Sequence, residues 1–138
     1  MSTQNKKVKD VMFNFPNFPI VKEKTILKEA LEKMDEFHLG MACIINENNH
    51  LVGVITDGDI RRKLLKIQKP LSAFFVDDVI NQAIKNPFTI NSNIALADCM
   101  SLMEEKQIWD LPVVDNNTLV GLLHLHSITK ALLEEYLS

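Results

Sequence analysis

The sequence predicts a mixed α/β (α+β) fold: two tandem copies of one βαββα-like unit, forming a pseudo-twofold pair. Three observations predict it. The run Leu51-Val52-Gly53-Val54-Ile55 returns as Leu119-Val120-Gly121-Leu122-Leu123, at an offset of about 68 residues. The segments ahead of those runs return in the same order. Cys43-Ile44-Ile45-Asn46 matches Pro112-Val113-Val114-Asp115, and Leu27, Ala30, Leu31 and Met34 match Leu96, Cys99, Met100 and Met103. Earliest, Val8-Lys9-Asp10-Val11-Met12 is paired with Val76-Asp77-Asp78-Val79-Ile80. Third, the apolar spacing switches from helical to strand-like at the same place in each copy. The copies divide the chain at 1–68 and 69–138.

Taken in order, each copy begins with a short apolar segment leading to Pro19 or Pro87. A brief extended stretch follows, Ile20-Val21 or Phe88-Thr89-Ile90. Thr25 and Asn93 stand where a helix N-cap is wanted, since their side chains can accept from the first free N–H groups. The three- and four-residue spacing of Leu27, Ala30, Leu31 and Met34 then lines one helical face. Two β-rich runs follow, Met41–Asn46 and Leu51–Thr56, joined by the polar turn Glu47-Asn48-Asn49-His50, a hairpin pattern. In the second copy the turn is Asp115-Asn116-Asn117-Thr118. The runs are apolar with little alternation, so both strand faces are expected to be covered. Each copy closes with a helix, Ile60–Ile67 or Ile128–Leu137, with Asp59 and Ser127 as expected N-caps. Lys69-Pro70-Leu71 opens the linker between copies. Phe13, Phe15 and Phe18, with Pro16 and Pro19, read as an apolar extended arm.

Composition removes several function classes. With 138 residues, 46% hydrophobic and 24% charged, the chain can bury a core. A net charge of −3 argues against a general polyanion or nucleic-acid binder. No apolar run approaches a membrane span, and MSTQNKKVKD lacks a secretory apolar core, so the expected location is the cytoplasm. Cys43 and Cys99 are too few for a disulfide scaffold. No base is paired with either, so they read as small core residues. Asp77-Asp78 reads as ordinary exposed charge, and Trp109 as a packing or dimer residue.

The duplicated unit, with a hairpin strand ending Gly53-Val54-Ile55-Thr56 and running into Asp57-Gly58-Asp59, resembles the CBS domain, named after cystathionine beta-synthase. Such units occur in pairs, called Bateman modules, and the resemblance covers Val8 to about Leu133. More narrowly, Gly53-Val54-Ile55-Thr56-Asp57-Gly58-Asp59-Ile60-Arg61-Arg62 resembles the CBS pair of arabinose 5-phosphate isomerases of Kdo synthesis. His38-Leu39-Gly40-Met41 and Gly121-Leu122-Leu123-His124-Leu125-His126-Ser127-Ile128 resemble the same group, except that Ser127 stands where its pattern has Asp. Similar runs accompany sugar nucleotidyltransferases. The resemblance implies a non-catalytic regulatory module that binds a nucleotide or sugar nucleotide, CMP-Kdo, CMP, AMP or ATP, in a cleft between the repeats. It also implies a homodimer of pairs and a regulated enzyme domain or partner. The isomerases carry a sugar-isomerase domain ahead of the pair, and only Met1–Lys7 precede Val8. The chain is therefore read as a stand-alone pair or a regulatory fragment of such an isomerase; a purely structural dimerisation module is the third reading.

The site chemistry centres on Thr56-Asp57-Gly58-Asp59, which follows a strand and opens a helix. Free N–H groups and the positive dipole end suit a phosphate there. Thr56 can donate to a phosphate oxygen, Asp59 can accept from ribose hydroxyls, and Gly58 allows close approach. Read alone, the tetrapeptide is also a good helix cap and turn. Arg61 and Arg62 are candidates to clamp a phosphate or sugar carboxylate, against the alternative of a solvated face. Ile20, Val21, Gly40 and Met41 are expected to frame the base. A weaker second site is expected from Thr89, Ile90, Leu111, Pro112, His124, His126 and Ser127. His124 and His126 are read as two positions of one strand sharing a face. They have no third ligand at metal-binding spacing, so no metal or other cofactor is expected.

Overall fold

The computed structural model describes residues 5–138. In chain order the elements are β1 (Phe13–Asn14), β2 (Ile20–Lys22), α1 (Leu27–Phe37), β3 (Met41–Ile45), β4 (Leu51–Thr56) and α2 (Asp57–Lys66). Then come α3 (Leu71–Phe75), α4 (Leu96–Lys106), β5 (Asp110–Asp115), β6 (Thr118–His124) and α5 (Leu125–Leu137). Short 3-10 turns occupy Val8–Asp10 and Val79–Gln82. The elements pack into two units: Phe18–Pro87, and the described part of Met1–Asn17 together with Phe88–Ser138. The repeats along the chain and the units in space are thus different partitions, because the opening segment of each copy packs with the other copy's helices and strands.

In the unit Phe18–Pro87, β2 lies parallel to β3, with Ile20 opposite Cys43, and β3 lies antiparallel to β4, with Met41 opposite Thr56. All five residues of β3 are buried, as a strand covered on both faces requires. Leu27, Ala30 and Met34 of α1 are buried, which the helical spacing predicts. They meet Ala42, Ile44, Ile55 and Ile60 in one apolar core. Phe74 of α3 and Val79 complete that core. The expected linker is therefore partly structure: Pro70 precedes the short helix Leu71–Phe75, and Phe74 is only 1% exposed.

The other unit repeats the plan. Its sheet runs β1-β6-β5, β5 and β6 being antiparallel with Asp110 opposite His124. Ile90 bridges Val113 in parallel, where the first copy has the full strand β2. Both hairpins carry a register irregularity at matching places, between Ile44 and Ile45 and between Val113 and Val114. The turn at Asn116 and Asn117 has φ of 50° and 67°, a left-handed pair that asparagine tolerates in two-residue hairpins.

Four sequence expectations are corrected. Thr25 and Asn93 do not cap α1 and α4. The N-caps are Ile26 and Ala95, without side-chain bonds. The first helical amides are instead met by distant backbone carbonyls: Leu27 N donates to Asp77 O at 2.9 Å and Leu96 N to Lys6 O at 2.9 Å. Asp59 and Ser127 are not N-caps either, since α2 and α5 start three residues earlier than the apolar pattern showed. The opening segments correspond with Val8 matching Val79 rather than Val76. Val8 N donates to Ile94 O at 3.0 Å and Val79 N to Thr25 O at 2.7 Å, and both valines are fully buried. Finally, Asp77 is engaged rather than simply exposed, as its bonds below show.

The glycine shared by the Leu-Val-Gly runs has one structural cause. A β-carbon on Gly121 would lie 2.8 Å from the Phe13 carbonyl oxygen, where β1 crosses β6. On Gly53 it would lie 3.0 Å from the Ile84 carbonyl oxygen, where Ile84 bridges Val54. In each copy a segment from elsewhere in the chain lies against this position, and only glycine leaves room. We expect Gly121→Ala and Gly53→Ala each to lower unfolding free energy by about 1–3 kcal/mol, the usual cost of overpacking. Urea denaturation of the two variants measures it.

Candidate functional site

At the end of β4 the chain turns directly into α2. Thr56 is the N-cap, with its Oγ1 accepting from Asp59 N at 3.1 Å. The Thr56 hydroxyl donates in turn to Asp59 Oδ2 at 2.7 Å, and Arg62 NH2 donates to Asp59 Oδ1 at 2.8 Å. Thr56, Asp59 and Arg62 therefore form one closed polar chain along the first turns of α2. In this arrangement the Thr56 hydroxyl donates to Asp59, and donation to a phosphate would exchange that bond for one to the ligand. Each Asp59 oxygen retains a second lone-pair direction, enough to accept from a diol.

Arg62 lies in the second turn of α2, because the helix begins at Asp57. The conflict of a cation with the positive dipole end is therefore weaker than the sequence suggested. Arg61 is exposed. Gly58 has no left-handed backbone. A β-carbon there would lie 3.2 Å from the Arg62 guanidinium nitrogens, so glycine clears the path by which Arg62 reaches Asp59.

The structure brings Gly40 and Met41 to this corner. Met41 is opposite Thr56, Asp57 N donates to Gly40 O at 3.1 Å, and a β-carbon on Gly40 would approach Asp57 Oδ2 to 2.9 Å. Ile20 and Val21 stand one strand further along the sheet. Val21 belongs to the core, and both also line a cavity of about 470 Å³ against α1. The predicted site residues of this copy thus separate into the corner at the start of α2 and the edge strand β2.

In the second copy His124 stands where Thr56 stands and Ser127 where Asp59 stands. His124 is the N-cap of α5, and Ser127 Oγ donates to His124 O at 2.7 Å. His124 Nδ1 pairs with Asp110 Oδ1 at 2.5 Å, with both side chains mostly buried. His126 is not on the strand with His124 but in the first turn of α5, exposed, its ring 6.3 Å from that of His124. The strand reading failed because the helix starts at Leu125. Ile90 and Leu111 belong to the core of this unit, Pro112 is buried and Thr89 is exposed. Trp109, at the position of Gly40, is 68% exposed. Among the described residues no group of three or more His, Cys, Asp or Glu is placed to hold a metal ion, and no helix is long and apolar enough to cross a membrane.

Sequence reasoning missed two participants. Asp77 accepts from Asn81 Nδ2 at 3.0 Å and from Gln82 Nε2 at 2.8 Å. Those bonds, Asn81 first, hold its carboxyl below the usual carboxylate range against the opposing effect of burial. The four- and five-residue spacing to Asn81 and Gln82 was the available signal. Asp110, partner of His124, was visible only through its cross-strand register. Burial raises the Cys99 thiol to about 11, so it stays neutral inside the core.

Comparison with known proteins agrees with the duplicated fold. The CBS domain family model matches residues 8–66 and 76–134. An uncharacterized protein of Helicobacter pylori strain J99 is 37% identical over 124 residues, covering 88% of this chain and 36% of that protein. Arabinose 5-phosphate isomerase KdsD of Escherichia coli K12 is 28% identical over 125 residues, covering 91% of this chain and 37% of that protein. The crystal structure of CBSX2 in complex with AMP (CBSX2 being from Arabidopsis thaliana) superposes with a TM-score of 0.82 at 29% identity. That match covers 94% of this chain and 98% of the other. The chain spans little more than a third of the length of the curated relatives it matches.

Asp77 supplies a pH test. Its folded-state pKa is depressed, so its stabilisation is complete above the ordinary carboxylate value and is lost as pH falls through the lowered one. Asp77→Ala should therefore be less stable than wild type near pH 7, and the gap should narrow under acid. Denaturant midpoints from pH 7 down to pH 3 give the comparison.

Proposed function

The chain belongs to the CBS domain family as a tandem pair, and from that premise we propose that it is a non-catalytic regulatory module whose ligand is a nucleotide or sugar nucleotide. One observation carries the proposal: the closed Thr56–Asp59–Arg62 chain at the start of α2. It holds an acceptor carboxylate and a guanidinium in fixed positions beside a helix N-terminus. Asp59 takes the ribose hydroxyls, and Arg62 is the nearest cation for a phosphate. The backbone of β2, an edge strand of its sheet, and of Gly40 and Met41 offers N–H and C=O groups to a base. The solved CBSX2 complex with AMP supports an adenine nucleotide as one ligand class.

The second copy gives a weaker site, since Ser127 replaces the carboxylate of Asp59. Ligand binding in such a cytoplasmic module acts by changing how pairs of this chain associate or how an enzyme domain is held. A second reading, the regulatory part of an arabinose 5-phosphate isomerase, draws support from the 28% identity over 91% of the chain. On that reading the ligand is CMP-Kdo or CMP, and catalysis belongs to another domain. A purely structural module has no ligand.

A thermal-shift titration with AMP, ATP, CMP and CMP-Kdo separates the readings, because a ligand that binds only the folded state raises Tm as its concentration passes Kd. A rise with at least one nucleotide, lost in Asp59→Ala while that variant still melts cooperatively, is the expected result. CMP-Kdo as the sole effective ligand favours the second reading. No shift with any of the four leaves the structural module.

A further inference from the structure

Within the unit Phe18–Pro87 is a cavity of about 430 Å³, lined by the cations Arg62, Lys63, Lys66 and Lys69 and by Asp59, Ile67, Phe74 and Gln82. It gathers four of the fifteen lysines and arginines of a chain whose net charge is −3. Arg62 is paired with Asp59, and Lys69 lies 3.9 Å from Asp77. Among the described residues, Lys63 and Lys66 have no ion-pair partner.

Helix energetics alone do not account for this cluster. Lys63 and Lys66 lie in the last turn of α2, where cations complement the helix dipole. Yet Lys63 with Lys66 and Arg62 with Lys66 are like-charge pairs at three and four residues, which cost a helix stability. Lys69 lies beyond the helix and still borders the same hollow, together with the core residue Phe74. Four cations border this hollow against the one carboxylate of Asp59, so its lining carries a positive excess, and a cleft lined by excess charge of one sign attracts ligands of the other. A single phosphate needs only one or two such partners, whereas a chain of linked phosphates can use all four.

We propose that this basic hollow binds an oligophosphate: two or more linked phosphates, free or carried by a nucleotide. Lys63 and Lys66 are its principal contacts, with Arg62 and Lys69 at its ends. Where the phosphates belong to a nucleotide, the proposal rests on the reading above that Asp59 holds the ribose. The site then prefers nucleoside triphosphates to monophosphates. Free oligophosphate binding does not depend on that reading.

The test is isothermal titration of the full chain with tripolyphosphate, orthophosphate, ATP and AMP in magnesium-free buffer. Tripolyphosphate should bind more tightly than orthophosphate, and its affinity should fall as salt is added. Lys66→Gln should weaken tripolyphosphate and ATP about tenfold, the loss expected for one charge-assisted hydrogen bond. Lys63→Gln with Lys66→Gln should weaken them further, Lys66→Arg should restore affinity, and AMP should bind all variants equally. Circular dichroism checks folding, and exposed Lys66 alone carries the test if the double variant misfolds. Equal affinity for tripolyphosphate and orthophosphate, or wild-type affinity in Lys66→Gln, overturns the proposal. AMP binding with no lysine dependence of either ATP or tripolyphosphate overturns it while leaving the nucleotide reading intact. Tripolyphosphate binding without AMP or ATP binding sustains the hollow and defeats the nucleotide reading.

Discussion

The constraint on which the structure depends is a backbone hydrogen bond at the start of each first helix. The first amide of α1 is met by the carbonyl of Asp77, and that of α4 by the carbonyl of Lys6. Helix N-termini must find acceptors, and here no side chain supplies one. The acceptor comes from a segment about fifty residues later in one case and ninety earlier in the other, as read from the numbering. Each segment then brings its own buried valine, Val79 or Val8, into the adjoining core. Neither half of the chain taken in sequence order contains a complete unit. Residues 1–68 lack Phe74 and Val79, and residues 69–138 lack Val8.

The same dependence explains the repeated glycines. Gly53 and Gly121 lie in the interior of β4 and β6, where a residue with more β-propensity would ordinarily be favoured. They persist because Ile84 and Phe13 place carbonyl oxygens against them. A local cost in the strand is offset by a long-range pairing that closes the unit.

The candidate sites show the copies diverging on a shared frame. Thr56 and His124 both end a strand and cap the helix that follows. In the first copy the third helical residue is Asp59, which holds both Thr56 and Arg62. In the second it is Ser127, bonded back to the His124 carbonyl, and the nearest carboxylate is Asp110 across the hairpin. One corner therefore presents a carboxylate joined to a cation and the other a histidine joined to a carboxylate, so the groups they offer differ although their backbones match. The cations further along α2 add a feature that the second copy lacks, since its last helix carries Leu132, Leu133, Tyr136 and Leu137 in exposed positions.

The sequence by itself determined the duplication, the helix–hairpin–helix order, the apolar face of α1, the strand Leu51–Thr56 and the cluster Thr56 to Arg62. These are legible because they are local: periodicity, turn chemistry and a compact motif are each written within a dozen residues. It did not determine that α2 and α5 begin three residues early, because Thr56 and His124 serve as caps while Asp59 and Ser127 resemble caps equally well on paper. Tertiary structure alone decided which distant carbonyl completes α1 and α4, that Val8 matches Val79, that Phe74 turns an apparent linker into core, and that Arg62, Lys63, Lys66 and Lys69 border one hollow. The Lys6 and Asp77 carbonyls and Phe74 reach their helices from about forty to ninety residues away, a separation that no local pattern carries, while the cations from Arg62 to Lys69 are close in sequence and only the packing of the chain beyond α2 sets them around one hollow.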